Sequence, residues 1–118
     1  MINCYEIPAT DIDRAIKFYS QLFQVEIKKA DYETEQMGFF PENCEICGMI
    51  SRAEKFNPSA DGVIIYFDGG KNIDEKLELA VKAGGEIVKP KTQIEAENAG
   101  CFALIKDTEG NRIGLYSK

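Results

Sequence analysis

Apolar positions along this chain follow two alternating rhythms. Residues 2–7 form a short β-prone run in which Cys4 and Glu6 share one face. From Ile12 the rhythm becomes helical: Ile12, Ala15, Ile16, Tyr19, Leu22 and Phe23 make one apolar face. Asp11, just ahead, offers a side-chain oxygen to the first free amides of that helix. Extended structure resumes over 24–30, carried by Val25 and Ile27. Runs 33–40 and 45–51 complete the first half, with Pro41-Glu42-Asn43 as the turn between them.

The second half repeats this order. Residues 62–67 read as a strand, and Asn72 caps a helix carrying Ile73, Leu77, Ala80 and Val81. Gly84-Gly85 ends that helix, because helix C-termini favour a left-handed residue. Residues 86–94 form a strand whose Pro90 marks an edge or a bulge. Strands 101–106 and 112–117 follow, joined by the turn Asp107-Thr108-Glu109-Gly110-Asn111. Laid without a gap, CYEIPATDID falls on IYFDGGKNID. Tyr5 then meets Tyr66 and Asp11 meets Asn72, an offset of 72 − 11 = 61. Gly38-Phe39-Phe40 falls on Gly100-Cys101-Phe102 at nearly the same offset. This self-similarity predicts an α+β domain of two tandem βαβββ modules, about 1–51 and 62–118, with a linker at 52–61.

A length of 118 residues fits one domain, and 44% hydrophobic with 29% charged residues is an ordinary globular composition rather than a disordered one. The net charge of −6 argues against nucleic acid and anionic membrane as partners. No apolar run approaches the roughly 18 residues of a membrane helix. The first residues lack the basic and apolar regions of a signal peptide. A cytoplasmic location is therefore expected, with Cys4, Cys44, Cys47 and Cys101 as reduced thiols.

IPATDIDRAIKFYSQLF resembles the first helix region of the vicinal-oxygen-chelate (glyoxalase/bleomycin resistance/dioxygenase) superfamily. GGEIVKPKTQI, followed by GCFALIKDTEGNRIGLYS, is similar to the second module of a glyoxalase-like subgroup, and MGFFP fits the same subgroup. The resemblance covers the whole chain and is specific for fold, not for reaction. It implies two four-stranded sheets curving together as an eight-stranded mixed sheet around a cavity, with both helices outside. In active members a divalent metal sits in that cavity. Its ligands, usually His and Glu, come from the first and last strand of each module.

Here the resemblance and the residues part. By register the ligand positions fall at Cys4, at Ile65 (Ile64 if the alignment slips by one), at Gly48 and at Gly114, and the chain contains no histidine. Glycine and isoleucine donate nothing to a metal, so no metal and no cofactor are expected. A carboxylate-only Mg or Mn site would need two or more converging acids. Without histidine no Ser-His-Asp or Cys-His nucleophile system exists, and no catalytic residue is assigned. The two glycines either relieve crowding between strands or also widen the cavity. Cys44-Glu-Ile-Cys47 is a CxxC that lacks the helical context of a redox motif; it reads as two ordinary small residues, with redox sensing or soft-metal capture as alternatives.

Period-2 alternation puts Arg112, Gly114 and Tyr116 on one face and leaves Ile113 and Leu115 to pack under the helices. Glu6, Arg112 and Tyr116 could then orient a ligand, with Phe40, Phe67 and Phe102 as apolar walls. The alternative is that Glu6 and Arg112 pair with each other or face solvent. The favoured function is metal-free binding of a small organic molecule, in a chain expected to form homodimers. Two alternatives stand beside it: a lyase- or isomerase-type enzyme on a carboxylate site, and a dimeric partner-binding module.

Overall fold

The computed structural model describes residues 1–42 and 45–118. Its elements run β1 (Cys4–Pro8), α1 (Ile12–Phe23), β2 (Lys28–Asp31), β3 (Glu35–Phe39), β4 (Cys47–Ala53), β5 (Tyr66–Asp68), α2 (Ile73–Lys82), β6 (Glu86–Gln93), β7 (Cys101–Lys106) and β8 (Arg112–Ser117). They form two four-stranded sheets of like topology, β1-β4-β3-β2 and β5-β8-β7-β6. In each, the first strand runs parallel to the last and the other pairs are antiparallel. This is the expected pair of βαβββ modules. No described helix is long and apolar enough to cross a membrane.

The helices form where the periodicity places them. Asp11 accepts the amide of Arg14 at 3.1 Å, and Asn72 accepts that of Asp74 at 3.0 Å. Each side chain satisfies a donor that a helix start leaves orphaned. On α1 the buried residues are Ile12, Ala15, Phe18, Tyr19 and Leu22. Phe18 was outside the face read from sequence, while Ile16 and Phe23 lie at its margin, partly buried. On α2 Ile73, Leu77 and Ala80 are buried, whereas Val81 points outward. Gly84 closes α2 at φ +101°, a backbone conformation that suits glycine. Strand β6 carries register shifts between Ile87 and Thr92, the bulge expected around Pro90. Two strands, β2 and β5, start well after the sequence suggests. Gln24 takes the left-handed cap of α1, delaying β2 to Lys28, and β5 begins only at Tyr66.

The core lies between helices and sheets. Ile7, Ile50, Ala103, Ile105, Ile113 and Leu115 are at most 3% exposed, so Ile113 and Leu115 do pack on the helix side. Tyr5, Tyr19, Phe23, Phe40 and Phe67 extend this core as a cluster of rings 4.8–6.3 Å apart. The rings come from both modules. The Lys76 ammonium of α2 stands 5.8 Å from the Phe23 ring and 3.4 Å from the Leu22 carbonyl of α1.

The turn joining β7 to β8 binds the halves together. The buried Tyr19 hydroxyl donates to Asp107 Oδ2 at 2.5 Å, and burial followed by the nearby Asp107 charge pushes its pKa well above the usual value. Asp107 Oδ1 accepts the amides of Glu109 and Asn111, both at 2.9 Å. Asn111 Nδ2 donates to Asp107 Oδ2 and to the Pro8 carbonyl. Glu109 reaches the start of α1. Its Oε1 accepts the amides of Thr10 and Asp11 at 3.0 and 2.9 Å, and Arg14 Nε donates to its Oε2 at 2.7 Å. A carboxylate of the second module thus caps the helix of the first.

Burial alone would raise the Glu109 pKa, but hydrogen bonds from Arg14 and from the Asp11 and Thr10 amides outweigh it and hold the group at about 2, against an ordinary value of 4.5. A folded pKa below the unfolded one stabilises above the unfolded value and is lost as pH falls through the folded one. Glu109→Gln should therefore cost about 1–2 kcal/mol at neutral pH, allowing for the solvent around Arg14. The gap from the parent should close between pH 4.5 and about 2, as chemical denaturation at several pH values will show. Tyr19→Phe, which leaves Asp107 short of a buried donor, should cost about 1–3 kcal/mol in the same assay.

Candidate functional site

The sites separate by sheet face. Cys4 and Glu6 are exposed while Tyr5 and Ile7 turn inward, so Cys4 and Glu6 share the face of the first sheet that carries no helix. On the second sheet Arg112, Gly114 and Tyr116 occupy the helix-free face, opposite the buried Ile113 and Leu115. Phe102, the register partner of Tyr116, joins them there. The Tyr116 hydroxyl donates to the Ala99 carbonyl at 2.7 Å, which fixes the ring. Lys89 stands 5.9 Å from the Phe102 ring.

Gly48, Phe40 and Phe67 lie elsewhere. Phe40 and Phe67 belong to the aromatic cluster of the core, and Gly48 lies beneath Tyr5. Together with Val25 and Ile46 these three line a separate apolar recess of about 180 Å³. The nine candidates thus do not meet in one cavity. The sequence could not separate them, because Phe40 and Phe67 lie near strand ends where alternation is a poor guide to face.

Glu6 and Arg112 do come together. They line a cavity of about 350 Å³ at the seam between the sheets, with Ile7, Pro8, Val63, Ile65 and Ile113 as apolar walls. Linker residues Asn57, Ser59 and Asp61 form its remaining side. The linker is held there by the Ser59 amide, which donates to Asn111 Oδ1 at 3.1 Å. Glu6 and Arg112 make no ion pair with each other among the described residues. Arg112 Nε is buried and has no hydrogen-bond partner among the described residues. The linker contribution was missed from sequence, where 52–61 read only as a connection.

Both glycines are filled by a neighbouring ring. A Cβ on Gly48 would meet the Tyr5 phenol, and one on Gly114 would meet the Tyr66 ring. Both glycines therefore make room for a ring, which is the crowding explanation, and Gly48 also lines the small recess beside Phe40 and Phe67. The register also corrects the repeat. The Ala9 amide bonds to the Ser51 carbonyl as the Gly69 amide does to that of Tyr116. Pro8 therefore corresponds to Asp68, Glu6 to Tyr66 and Cys4 to Ile64; on the last strands Met49, not Gly48, corresponds to Gly114. The second module has one extra residue between β5 and α2, and the gap-free alignment had absorbed it. Because side chains alternate, a one-residue slip moves every one of them to the other face.

Comparison with known proteins now bears on this geometry. The model of the Glyoxalase/Bleomycin resistance protein/Dioxygenase superfamily matches residues 1–115. The chain belongs to that superfamily. A glyoxylase-like domain-containing protein of Didymella fabae is 28% identical across 99% of this chain and 93% of its own. A glyoxalase/bleomycin resistance protein from Albidiferax ferrireducens T118 superposes with a TM-score of 0.78 at 15% identity, covering all of this chain and 98% of that one. An E144Q mutant of Zea mays glyoxalase I superposes with a TM-score of 0.79 at 16% identity. This chain spans 45% of that maize protein. At these identities the solved structures show a shared fold.

The superfamily implies a divalent metal, and the residues present do not fit one. With the register corrected, the four ligand positions hold Cys4, Met49, Ile64 and Gly114. Imidazole and carboxylate are absent from all four, and the Tyr66 ring covers Gly114, where the last ligand would stand. No three His, Cys, Asp or Glu side chains gather among the described residues in a way that could hold an ion.

The ring-on-glycine packing has a measurable consequence. Gly114→Ala should destabilise by about 1–3 kcal/mol through overpacking against Tyr66. Adding Tyr66→Ala should relieve part of that, so a thermal double-mutant cycle should give a clearly non-additive coupling. Additive costs would mean that the ring moves away freely.

Proposed function

We propose that this protein binds a small organic anion with an apolar body in the seam cavity, without a metal. One observation carries this reading: the buried Arg112 Nε has no hydrogen-bond partner among the described residues, and the Arg112 side chain that bears it lines a cavity with mostly apolar walls. A buried donor without an acceptor costs about 1–3 kcal/mol, and a ligand carboxylate supplies the acceptor in a short, charge-assisted bond. Ile7, Val63, Ile65 and Ile113 supply apolar contact for the rest of the molecule. Glu6 and Asp61 favour a ligand that also carries a hydroxyl or amine donor. A cavity of about 350 Å³ suits a compact molecule, at the lower end of the usual range for ligand sites.

The position of the cavity also supports binding. It lies where the two sheets and the linker converge, so fixed polar groups and apolar walls from three segments border one opening.

The test is a thermal-shift screen of tag-free protein against small aliphatic and aromatic hydroxy- and amino-carboxylates. A ligand at a hundredfold excess over its Kd should add about 2.7 kcal/mol, a shift of several degrees. Chelator should leave the shift unchanged, and Arg112→Leu should abolish it. A shift that survives in Arg112→Leu, or one seen equally with uncharged amides of the same acids, would overturn the proposal.

A further inference from the structure

We infer a second site on the helix-free face of the first sheet: Cys4, Cys47 and Met49 form a clamp for a thiophilic monovalent cation such as copper(I). The inference stands on different residues from the anion cavity and does not depend on it.

Cys4 and Cys47 are Cα partners, the first residues of adjacent parallel strands. The register is pinned there by the Cys47 amide, which donates to the Asn3 carbonyl at 3.0 Å. Register partners in a parallel pair point to the same side, with strands about 4.8 Å apart. Both thiols are free and exposed. Met49 follows Cys47 by two residues, so its thioether lies on the same face, and its Cα partner is Glu6. Two thiols, a thioether and a carboxylate therefore share one face on two rungs of one ladder, with the inward-facing Tyr5–Gly48 rung between them.

This donor set selects its ion. Thiolate and thioether are soft ligands and favour copper(I) over hard divalent ions. Two sulfurs, each about 2.3 Å from an ion, span up to about 4.6 Å, close to the strand spacing. Structural zinc needs four ligands, and among the described residues no third Cys, His, Asp or Glu joins the pair. Binding releases two protons: one copper(I) and two thiols give a bis-thiolate complex of net charge −1 and two protons, with no change of oxidation state. Affinity therefore rises with pH. Glu6, across from Met49, adds negative charge that favours a cation. Cys101 is buried on the other sheet, and Cys44 lies outside the described residues.

The experiment titrates fully reduced, tag-free full-length protein with copper(I) under anaerobic conditions against bicinchoninate, a coloured competing chelator. One equivalent should be retained by the parent chain. Cys4→Ser and Cys47→Ser should each weaken retention by at least about a hundredfold, and Met49→Leu by about tenfold. Cys44→Ser, Cys101→Ser and Arg112→Leu should retain the ion as the parent does. Circular dichroism of each variant shows that it is folded. Retention unchanged in folded Cys4→Ser overturns the site. Equal loss in Cys44→Ser and Cys47→Ser, with Cys4→Ser unaffected, also overturns it and assigns the ion to the CxxC pair. X-ray absorption of the loaded protein should show sulfur neighbours alone; nitrogen or oxygen neighbours would contradict the clamp.

Discussion

Two carboxylates on one turn hold this molecule in register. Asp107 and Glu109 belong to the second module; Glu109 spends its oxygens largely on the first, and Asp107 accepts the Tyr19 hydroxyl of the first while its other bonds stay within its own turn. A buried carboxylate costs several kcal/mol unless donors surround it. Here the Tyr19 hydroxyl, the Asn111 amide and backbone N–H groups surround Asp107, while Arg14 and the start of α1 surround Glu109. Neither acid keeps that set of donors if the modules separate. The turn therefore converts two sheets with no shared strand pair into one body. It also fixes the distance between β1 and β8, and hence the width of the seam in which Glu6 and Arg112 lie.

The same docking explains why the seam is a cavity and not a packed core. Asn111 bonds to the Pro8 carbonyl on one side and to the Ser59 amide on the other, so a single side chain spaces β1, β8 and the linker. Beneath it the aromatic cluster already satisfies the apolar demand of the interior. Tyr5 and Tyr66 take up the space above Gly48 and Gly114, which leaves the seam as the opening between the halves. What borders that opening is held by contacts elsewhere, and such preorganisation lowers the entropic cost of binding.

Much of this was legible in the sequence, and the limits are physical. Helix α1 declared itself through Asp11 and a regular apolar face, and β7 and β8 match the expected strands because each alternates cleanly and is bounded by turn residues. The shared faces of Cys4 with Glu6, and of Arg112 with Tyr116, followed from the pleat alone. The equivalence of the modules did not. Asp68-Gly69-Gly70-Lys71-Asn72 has one residue more than Pro8-Ala9-Thr10-Asp11, and the similarity of Tyr5 to Tyr66 hid it. That single residue moved the first-strand position of the second module from Ile64 to Ile65, while matching the glycines of β4 and β8 moved the last-strand position of the first module from Met49, on the helix-free face, to Gly48 in the core. The roles of Glu109 and Asp107 were illegible for a different reason. Their partners lie 88 to 99 residues away, and no local pattern marks a turn acid as a helix cap for a distant segment.

The first module shows how a metal fold changes its chemistry without losing its frame. The ladder hydrogen bonds that set the spacing of β1 and β4 are backbone interactions, indifferent to which side chains they present. Cys4 and Met49 therefore sit on rungs whose spacing the backbone sets, whatever side chain stands there. In the second module the change goes further, since Gly114 admits a ring and Ile64 offers no lone pair. An ion that needed ligands from both modules would have coupled the halves. In this chain that coupling is supplied by Asp107 and Glu109, whose bonds to Tyr19 and to the start of α1 need no ion.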